Sequence, residues 1–352
     1  MRTECVASFC CPRHGSPLSL SEATMADGEV VSGKLVSPEG CIYPIEHGVP
    51  NFVEPHLLTS LETHTQAQYD RVAEHIYDAM IDWQFAAMFE IEDDVRETMV
   101  DMLGLVPGAR VLEAGCGTGR DSLHLAQRLD QSAHLHMQDL SSKMVYACMQ
   151  NMTDQARKAP ISCSLEYSIS NATALPFPDE TFDAVFHFGG FNQFGDLKKA
   201  AAELTRVARQ GGRILIGDEA VAPWLKGTEF GRIVSTNNTL FNADAPLHTL
   251  PDCARDVTVR WIIGNCFYVI SFRKGDGPPP LNLDLPHEGW RGGTMRTRYY
   301  GQLEGVTPEA KALAHKAASE CGISVHEWLD RLVRRQAAQD LKTIKSERVS
   351  KK

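Results

Sequence analysis

The sequence predicts an α/β fold: a mostly parallel, seven-stranded sheet ending in an antiparallel hairpin, with a small β-rich module before it and a helical module after it. Three observations carry this. Short β-prone runs alternate with amphipathic helical stretches between residues 92 and 274, the pattern of parallel crossovers with helices on both sheet faces. A glycine-rich turn follows the first of those runs. The alternation then breaks: Val257–Ile263 and Cys266–Phe272 are separated by only Gly264 and Asn265, which predicts a hairpin at the sheet edge.

The strands predicted inside this region are Arg110–Ala114, His134–Gln138, Cys163–Ser168, Phe182–Phe188 and Arg213–Gly217, before the hairpin. Helices are predicted over Asp121–Leu129, Ser142–Met152 and Leu197–Ala208. Five zones follow: a Cys-, Gly- and Pro-rich module over 1–56; a helical lid or connector over 57–91, with a stripe of Tyr69, Val72, Ala73, Ile76 and Tyr77; the α/β domain over 92–274; a Pro-rich linker over 275–290; and a basic, mostly helical module over 291–352. Within the α/β domain, the insertion 220–256 is expected to roof an acceptor site together with Tyr69, Tyr77 and Trp83, since connections of this length often serve as lids.

Composition narrows the function. At 352 residues, with 43% hydrophobic and 23% charged residues, the chain is an ordinary globular protein with one sizeable core and appendages. No apolar run reaches the roughly 18–20 residues of a membrane span. The N-terminus has no apolar segment of signal-peptide length, and the scattered cysteines form no disulfide framework, so a cytoplasmic protein with reduced thiols is expected. The net charge of −10 argues against nucleic acid as a partner. The tail departs from this balance: residues 291–352 hold 13 Lys/Arg against 7 Asp/Glu, a net +6, which leaves −16 for the rest.

The most specific motif is Val111-Leu-Glu-Ala-Gly-Cys-Gly-Thr-Gly119. A strand ends in a turn whose glycines permit positive φ and close approach of a ligand, and the next helix opens with free N–H groups. The spacing is E-x-G-x-G-x-G, not the dinucleotide fingerprint G-x-G-x-x-G. Asp139 ends the second strand about 20 residues on, where a carboxylate can accept both hydroxyls of a ribose. Ser170-Asn-Ala-Thr-Ala-Leu-Pro-Phe-Pro-Asp-Glu-Thr-Phe-Asp183 and Glu203-Leu-Thr-Arg-Val-Ala-Arg-Gln-Gly-Gly212 follow in order.

These four segments resemble the ordered motifs of class I S-adenosylmethionine-dependent methyltransferases, Rossmann-like enzymes of the quinone and small-molecule type. The resemblance covers about half the chain. It implies S-adenosyl-L-methionine as cofactor. Glu113 would lie near the methionine amino group, with Ala114, Gly115, Gly117 and Gly119 lining the methionyl and ribose parts. Asp139 and Leu140 would hold the ribose, and Asn171 with Ala172 the adenine. Asn171 stands where the family usually has Asp, and Gln210 where it has Pro.

Methyl transfer from a sulfonium is an in-line displacement that demands alignment and exclusion of water more than any one side chain. Acceptor-side groups should project from the carboxyl ends of the fourth and fifth strands. That points to His187, as cofactor neighbour and as base or orienter, to Asp218 and Glu219 as further catalytic candidates, and to Phe191, Asn192 and Trp224 as substrate contacts. The acceptor is expected to be a small, apolar or cyclic molecule. RNA or protein methylation, and a non-enzymatic DNA-binding regulator that senses the cofactor, are the alternatives.

The flanking modules carry weaker signals. Cys11-Pro-Arg-His14 and Tyr43-Pro-Ile-Glu-His-Gly-Val-Pro-Asn-Phe-Val53 resemble the zinc-ribbon module of tRNA-methyltransferase activators. The second ligand pair falls on Ser37 and Gly40, with Cys41 one residue away, so a metal-free relic is expected, and a site from Cys11, His14 and Cys41 plus Cys10 or His47 is the alternative. At the C-terminus, a strand over Met295–Val306, a helix from Thr307 to Gly322 and a second helix opened by Ser324-Val-His-Glu327 resemble the ribbon-helix-helix family. Its stripe of Val325, Trp328, Leu329, Leu332 and Val333 suggests a homodimer contact or packing on the catalytic domain rather than DNA binding.

Overall fold

The computed structural model describes residues 1–72, 76–289, 292–300 and 306–350. Ala73 of the predicted stripe lies outside the described residues. The chain divides into two compact units, Met1–Pro279 and Pro280–Lys352.

The first unit opens with a four-stranded antiparallel sheet of β1 (Ser19–Ala26), β2 (Glu29–Val36), β3 (Ile42–Glu46) and β4 (Val49–Pro50). Two helices, α1 (Ser60–Val72) and α2 (Tyr77–Ala87), lead to α3 (Glu92–Asp101). The main sheet comprises β5 (Arg110–Ala114), β6 (His134–Asp139), β7 (Ser164–Ile169), β8 (Phe182–Phe188), β9 (Ala208–Glu219), β10 (Ala254–Ile262) and β11 (Phe267–Lys274). Its order is β10-β11-β9-β8-β5-β6-β7. The central five strands are parallel, and β11 and β10 add antiparallel at one edge. This is the α/β architecture expected. β5 is buried on both faces: Val111 enters one core cluster with Leu135, Met137, Val145 and Met152, while Leu112 and Ala114 enter the opposite one with Val185, Leu204 and Ile214. Burial on both faces explains why such a strand reads as a continuous apolar run rather than an alternating one.

Crossover helices α4 (Arg120–Arg128), α5 (Ser142–Lys158) and α6 (Leu197–Val207) complete the layers, and α7 (Glu229–Asn237) lies in the insertion between β9 and β10. Ser141 caps α5 and Asp196 caps α6, each by accepting an N–H of the first turn. The turn between β10 and β11 is looser than a two-residue one: Ile262 pairs with Phe267, and Ile263, Gly264 and Asn265 all take positive φ.

The N-terminal sheet is stitched to the main one. Cys10 N–H donates to Pro176 O at 2.9 Å, Phe52 N–H to Ile169 O at 2.8 Å, and Phe9, Leu35, Tyr43 and Phe52 join the core cluster that holds Leu112 and Phe177.

The second unit contains α8 (Met295–Tyr300), α9 (Pro308–Glu320) and α10 (Val325–Ser350). Here the strand expected over 295–306 is corrected: its first six residues are helical, and 301–305 lie outside the described residues. The cause is local. Thr294 and Thr297 cap one another, each hydroxyl accepting the other's backbone N–H at 3.2 and 2.9 Å, and this starts a helix. The two following helices start where their caps predict, at Thr307 and Ser324. Among the described residues no helix is long and apolar enough to cross a membrane.

Candidate active site

The site is assembled at the carboxyl ends of β5, β6 and β8. Gly115 takes φ +75°, and a Cβ there would meet the His187 ring at 3.1 Å. Gly115 and Cys116 N–H both donate to Gln138 O, which bends the chain across the end of β6. Gly117 N–H then donates to Asp139 Oδ2 at 3.0 Å, and Ser141 N–H to Oδ1 at 2.9 Å. Asp139 therefore faces the turn. Burial outweighs those amide donors and pushes its carboxyl up to about 6.

Gly115, Gly117, Asp139, Leu140, Asn171, Ala172 and His187 line one cleft, together with Glu62, Tyr69, Tyr77 and Gln193. Seven residues singled out from the sequence thus meet in one place. Ala114 contributes its carbonyl, which accepts from His187 Nδ1 at 2.5 Å. That bond leaves Nε2 as the acceptor nitrogen; it is buried and has no hydrogen-bond partner among the described residues, and burial lowers the ring's proton affinity. Gly119, φ +92°, is the N-cap of α4, packed so that a Cβ would meet Cys148 Sγ at 2.9 Å. Glu113 lies beneath the turn rather than in the cleft: its buried carboxyl accepts from Ser122 Oγ at 2.5 Å, tying β5 to α4, and burial with Asp121 pushes its pKa well up.

Glu62 was not foreseen. Its backbone N–H donates to Thr59 Oγ1, and its Oε2 accepts from Thr59 N–H, a capping box legible in Thr59-Ser-Leu-Glu62. The other oxygen, Oε1, accepts from Asn171 Nδ2 at 2.8 Å. Asn171 Oδ1 is already used by Thr173 N–H, so the carboxylate at this end of the cleft comes from α1. The hydrogen bonds from Thr59, Asn171 and Thr173 outweigh burial and hold Glu62 below the ordinary carboxyl range. Helix α1 is fixed over the cleft further along by Gln66 Nε2 to Leu140 O at 2.9 Å and by Ser141 Oγ to Asp70 at 2.5 Å.

A second cavity of about 940 Å³ shares Tyr69, Tyr77, Gly115, Gly189, Gly190 and Gln193 with the cleft. Its walls are Phe85, Met88, Phe188, Val234, Phe241 and Phe267, drawn from α2, β8, the insertion and the hairpin. Tyr69, Tyr77 and Trp83 line it, and so does Glu219. Burial, then the neighbouring Asp218, pushes Glu219 well above the usual carboxyl range. Asp218 itself is occupied: Oδ1 accepts from Gly190 and Glu219 N–H, and Oδ2 from Asn192 N–H at 2.5 Å. It clamps the turn after β8.

The three expected substrate contacts lie elsewhere. Phe191 is fully buried against Phe194 and His187, Asn192 bridges Glu219 O and the Tyr268 hydroxyl, and Trp224 is 62% exposed beside Trp261. None of them lines either cavity. Single aromatic residues in a loop carry no signal of which way they point; the helical residues Tyr69, Tyr77 and Trp83, expected to roof an acceptor site, do line the larger cavity.

Residues 112–216 match the family model described as "Methyltransferase domain". An uncharacterized protein of Mycobacterium tuberculosis is 36% identical over 147 residues, 42% of this chain and 48% of that protein. A 27-O-demethylrifamycin SV methyltransferase of Amycolatopsis mediterranei is 28% identical over 156 residues, 44% and 55% of the two chains. A demethylmenaquinone methyltransferase of Renibacterium salmoninarum is 32% identical over 149 residues, 40% and 57%. The chain spans about half the length of these relatives. The glycine turn, the Asp139 carboxylate and the terminal hairpin are all in place around the segment, residues 112–216, that is similar to a methyltransferase domain.

Proposed function

We propose that the protein transfers the methyl group of S-adenosyl-L-methionine to a small, apolar or cyclic molecule. The observation that carries this is the cavity of about 940 Å³, walled by aromatic and aliphatic side chains, which adjoins the cofactor cleft at Gly115, Tyr69 and Tyr77. Apolar cavities with a few convergent polar groups are the usual form of small-molecule sites. The names of the rifamycin and menaquinone methyltransferases are in keeping with this class of acceptor.

In this reading Asp139 accepts the ribose hydroxyls, and Glu62 with Asn171 meets the adenine edge. Gly115 and Gly117 let the methionyl part approach the backbone, while Glu113 and Asp218 act by positioning the turns. His187, its Nδ1 proton committed to Ala114, presents Nε2 as an acceptor beneath the cofactor. Glu219, the charged-type side chain of the acceptor cavity nearest β9's end, has a raised proton affinity suited to taking a proton from an acceptor hydroxyl. The roof of α1, α2 and α7 excludes water and aligns the acceptor for in-line attack. We also place the protein in the cytoplasm, consistent with ten unpaired cysteines, and assign self-association to the C-terminal helices, where Leu313, Val333 and Leu341 are exposed.

The test is incubation of the purified protein with methyl-labelled cofactor and a fractionated small-molecule extract. A labelled low-mass product supports the reading. Label only in macromolecules, or none despite intact cofactor binding, rejects it.

A further inference from the structure

Away from both cavities, two turns of the N-terminal sheet converge. In the first, His14 and Gly15 N–H both donate to Cys11 O, at 3.3 and 2.7 Å, and Gly15 takes φ +70°, so the chain doubles back and sets His14 beside Cys11. In the second, Ser37 N–H donates to Cys41 O at 2.9 Å, Cys41 N–H to Ser37 Oγ at 3.2 Å, and Gly40 takes φ +86°. One ligand atom from each of Cys11, His14 and Cys41 lies within 4.8 Å of the others. The Tyr43 hydroxyl lies 3.2 Å from Cys11 Sγ. Cys11 is fully buried, Cys41 half-buried and His14 exposed. His14 and Cys41 line a cavity of about 360 Å³ that also contains Glu39 and Glu54.

We propose that Cys11, His14 and Cys41 form a zinc site, with Tyr43 hydrogen-bonding a thiolate ligand and water in the fourth position. The reading is independent of the methyltransferase assignment. Two thiolates and an imidazole are the donor set of a borderline-soft divalent cation. Zinc–sulfur bonds of about 2.3 Å put tetrahedral ligand atoms roughly 3.5 Å apart, so closure asks for about 1 Å of movement, which the exposed His14 ring can supply. The nearby carboxylates are committed: Glu39 Oε2 accepts from Ser16 Oγ at 2.6 Å, and Glu54 Oε2 from Arg13 at 3.4 Å. Sequence spacing favours a metal-free relic because Ser37 and Gly40 stand at the second ligand pair, with Cys11, His14 and Cys41 as the alternative set; the second turn brings Cys41 to the other two. Metal here would tie the two turns together over Tyr43 and Leu35, which belong to the core shared with the main sheet.

The experiment uses the full chain, stripped with a chelator and titrated with Zn²⁺ against a chromogenic competitor, then with Co²⁺. One equivalent is expected, with a thiolate-to-cobalt charge-transfer band. His14→Ala and Cys41→Ser should each weaken zinc binding by about a hundredfold or more, and zinc should raise the melting temperature of the wild type but not of His14→Ala. These two positions are not fully buried, so the result does not depend on whether Cys11→Ser folds. Absence of stoichiometric zinc overturns the proposal. So does an equivalent retained at full affinity in both variants, or a cobalt spectrum without the thiolate band.

Discussion

Asp139 gives a pH dependence that can be worked from the structure. Its carboxyl rises from an ordinary 3.8 to about 6, chiefly through burial. The ribose hydroxyls donate, so the cofactor needs the ionised form. Above pH 6 that form dominates; as pH falls through 6 it is lost. With a value near 6, about nine-tenths of the protein is competent at pH 7 and about one-tenth at pH 5, so affinity for S-adenosylhomocysteine should fall about tenfold between them. The same shift affects the free protein. Because the folded value lies above the unfolded one, ionisation costs stability as pH rises from about 4 to 6, on the order of 3 kcal/mol, and bound ligand offsets that cost. Isothermal calorimetry across pH 5 to 7.5 on wild type and Asp139→Asn is the assay. The variant should bind weakly with no slope in this window. A wild-type affinity that is flat to pH 5, or an equal slope in Asp139→Asn, would refute the reasoning.

Three further outcomes follow from the same geometry. Glu62→Ala removes the carboxylate that holds Asn171, and should weaken S-adenosylhomocysteine about 5- to 30-fold, or about 1–2 kcal/mol, with Glu62→Gln intermediate; equal affinity by calorimetry would remove Glu62 from the site. Gly115→Ala combines positive φ with a Cβ at 3.1 Å from His187, so cofactor binding should drop by at least about tenfold while α/β circular dichroism persists. Val234→Trp fills the larger cavity from the α7 side; methyl transfer should fall by at least about tenfold with cofactor affinity unchanged, and unchanged turnover would place the acceptor elsewhere.

The legible part of the site was the part made by consecutive residues. The turn after β5 must be glycine-rich wherever backbone meets a ligand, and Asp139 sits at a fixed distance along the next strand, so both could be numbered before any fold was known. Asn171 was also legible, though its carboxylate partner Glu62 lies 109 residues away and enters through α1. The capping box that places Glu62 was visible, but capping boxes occur at many helix starts and mark no ligand.

What the sequence alone determined was the α/β layering, the strand order's parallel core, the hairpin edge and the cofactor turn, because these depend on periodicity and on short-range backbone demands. Tertiary structure decided the direction of single side chains. It turned Phe191, Asn192 and Trp224 away from the cavities, set Asp218 to clamp a turn, made residues 295–300 helical through a pair of threonine caps, and brought Cys41 to Cys11 and His14. The physical reason is the same in each case: which way a loop side chain faces depends on what packs against it, and those neighbours are remote in sequence.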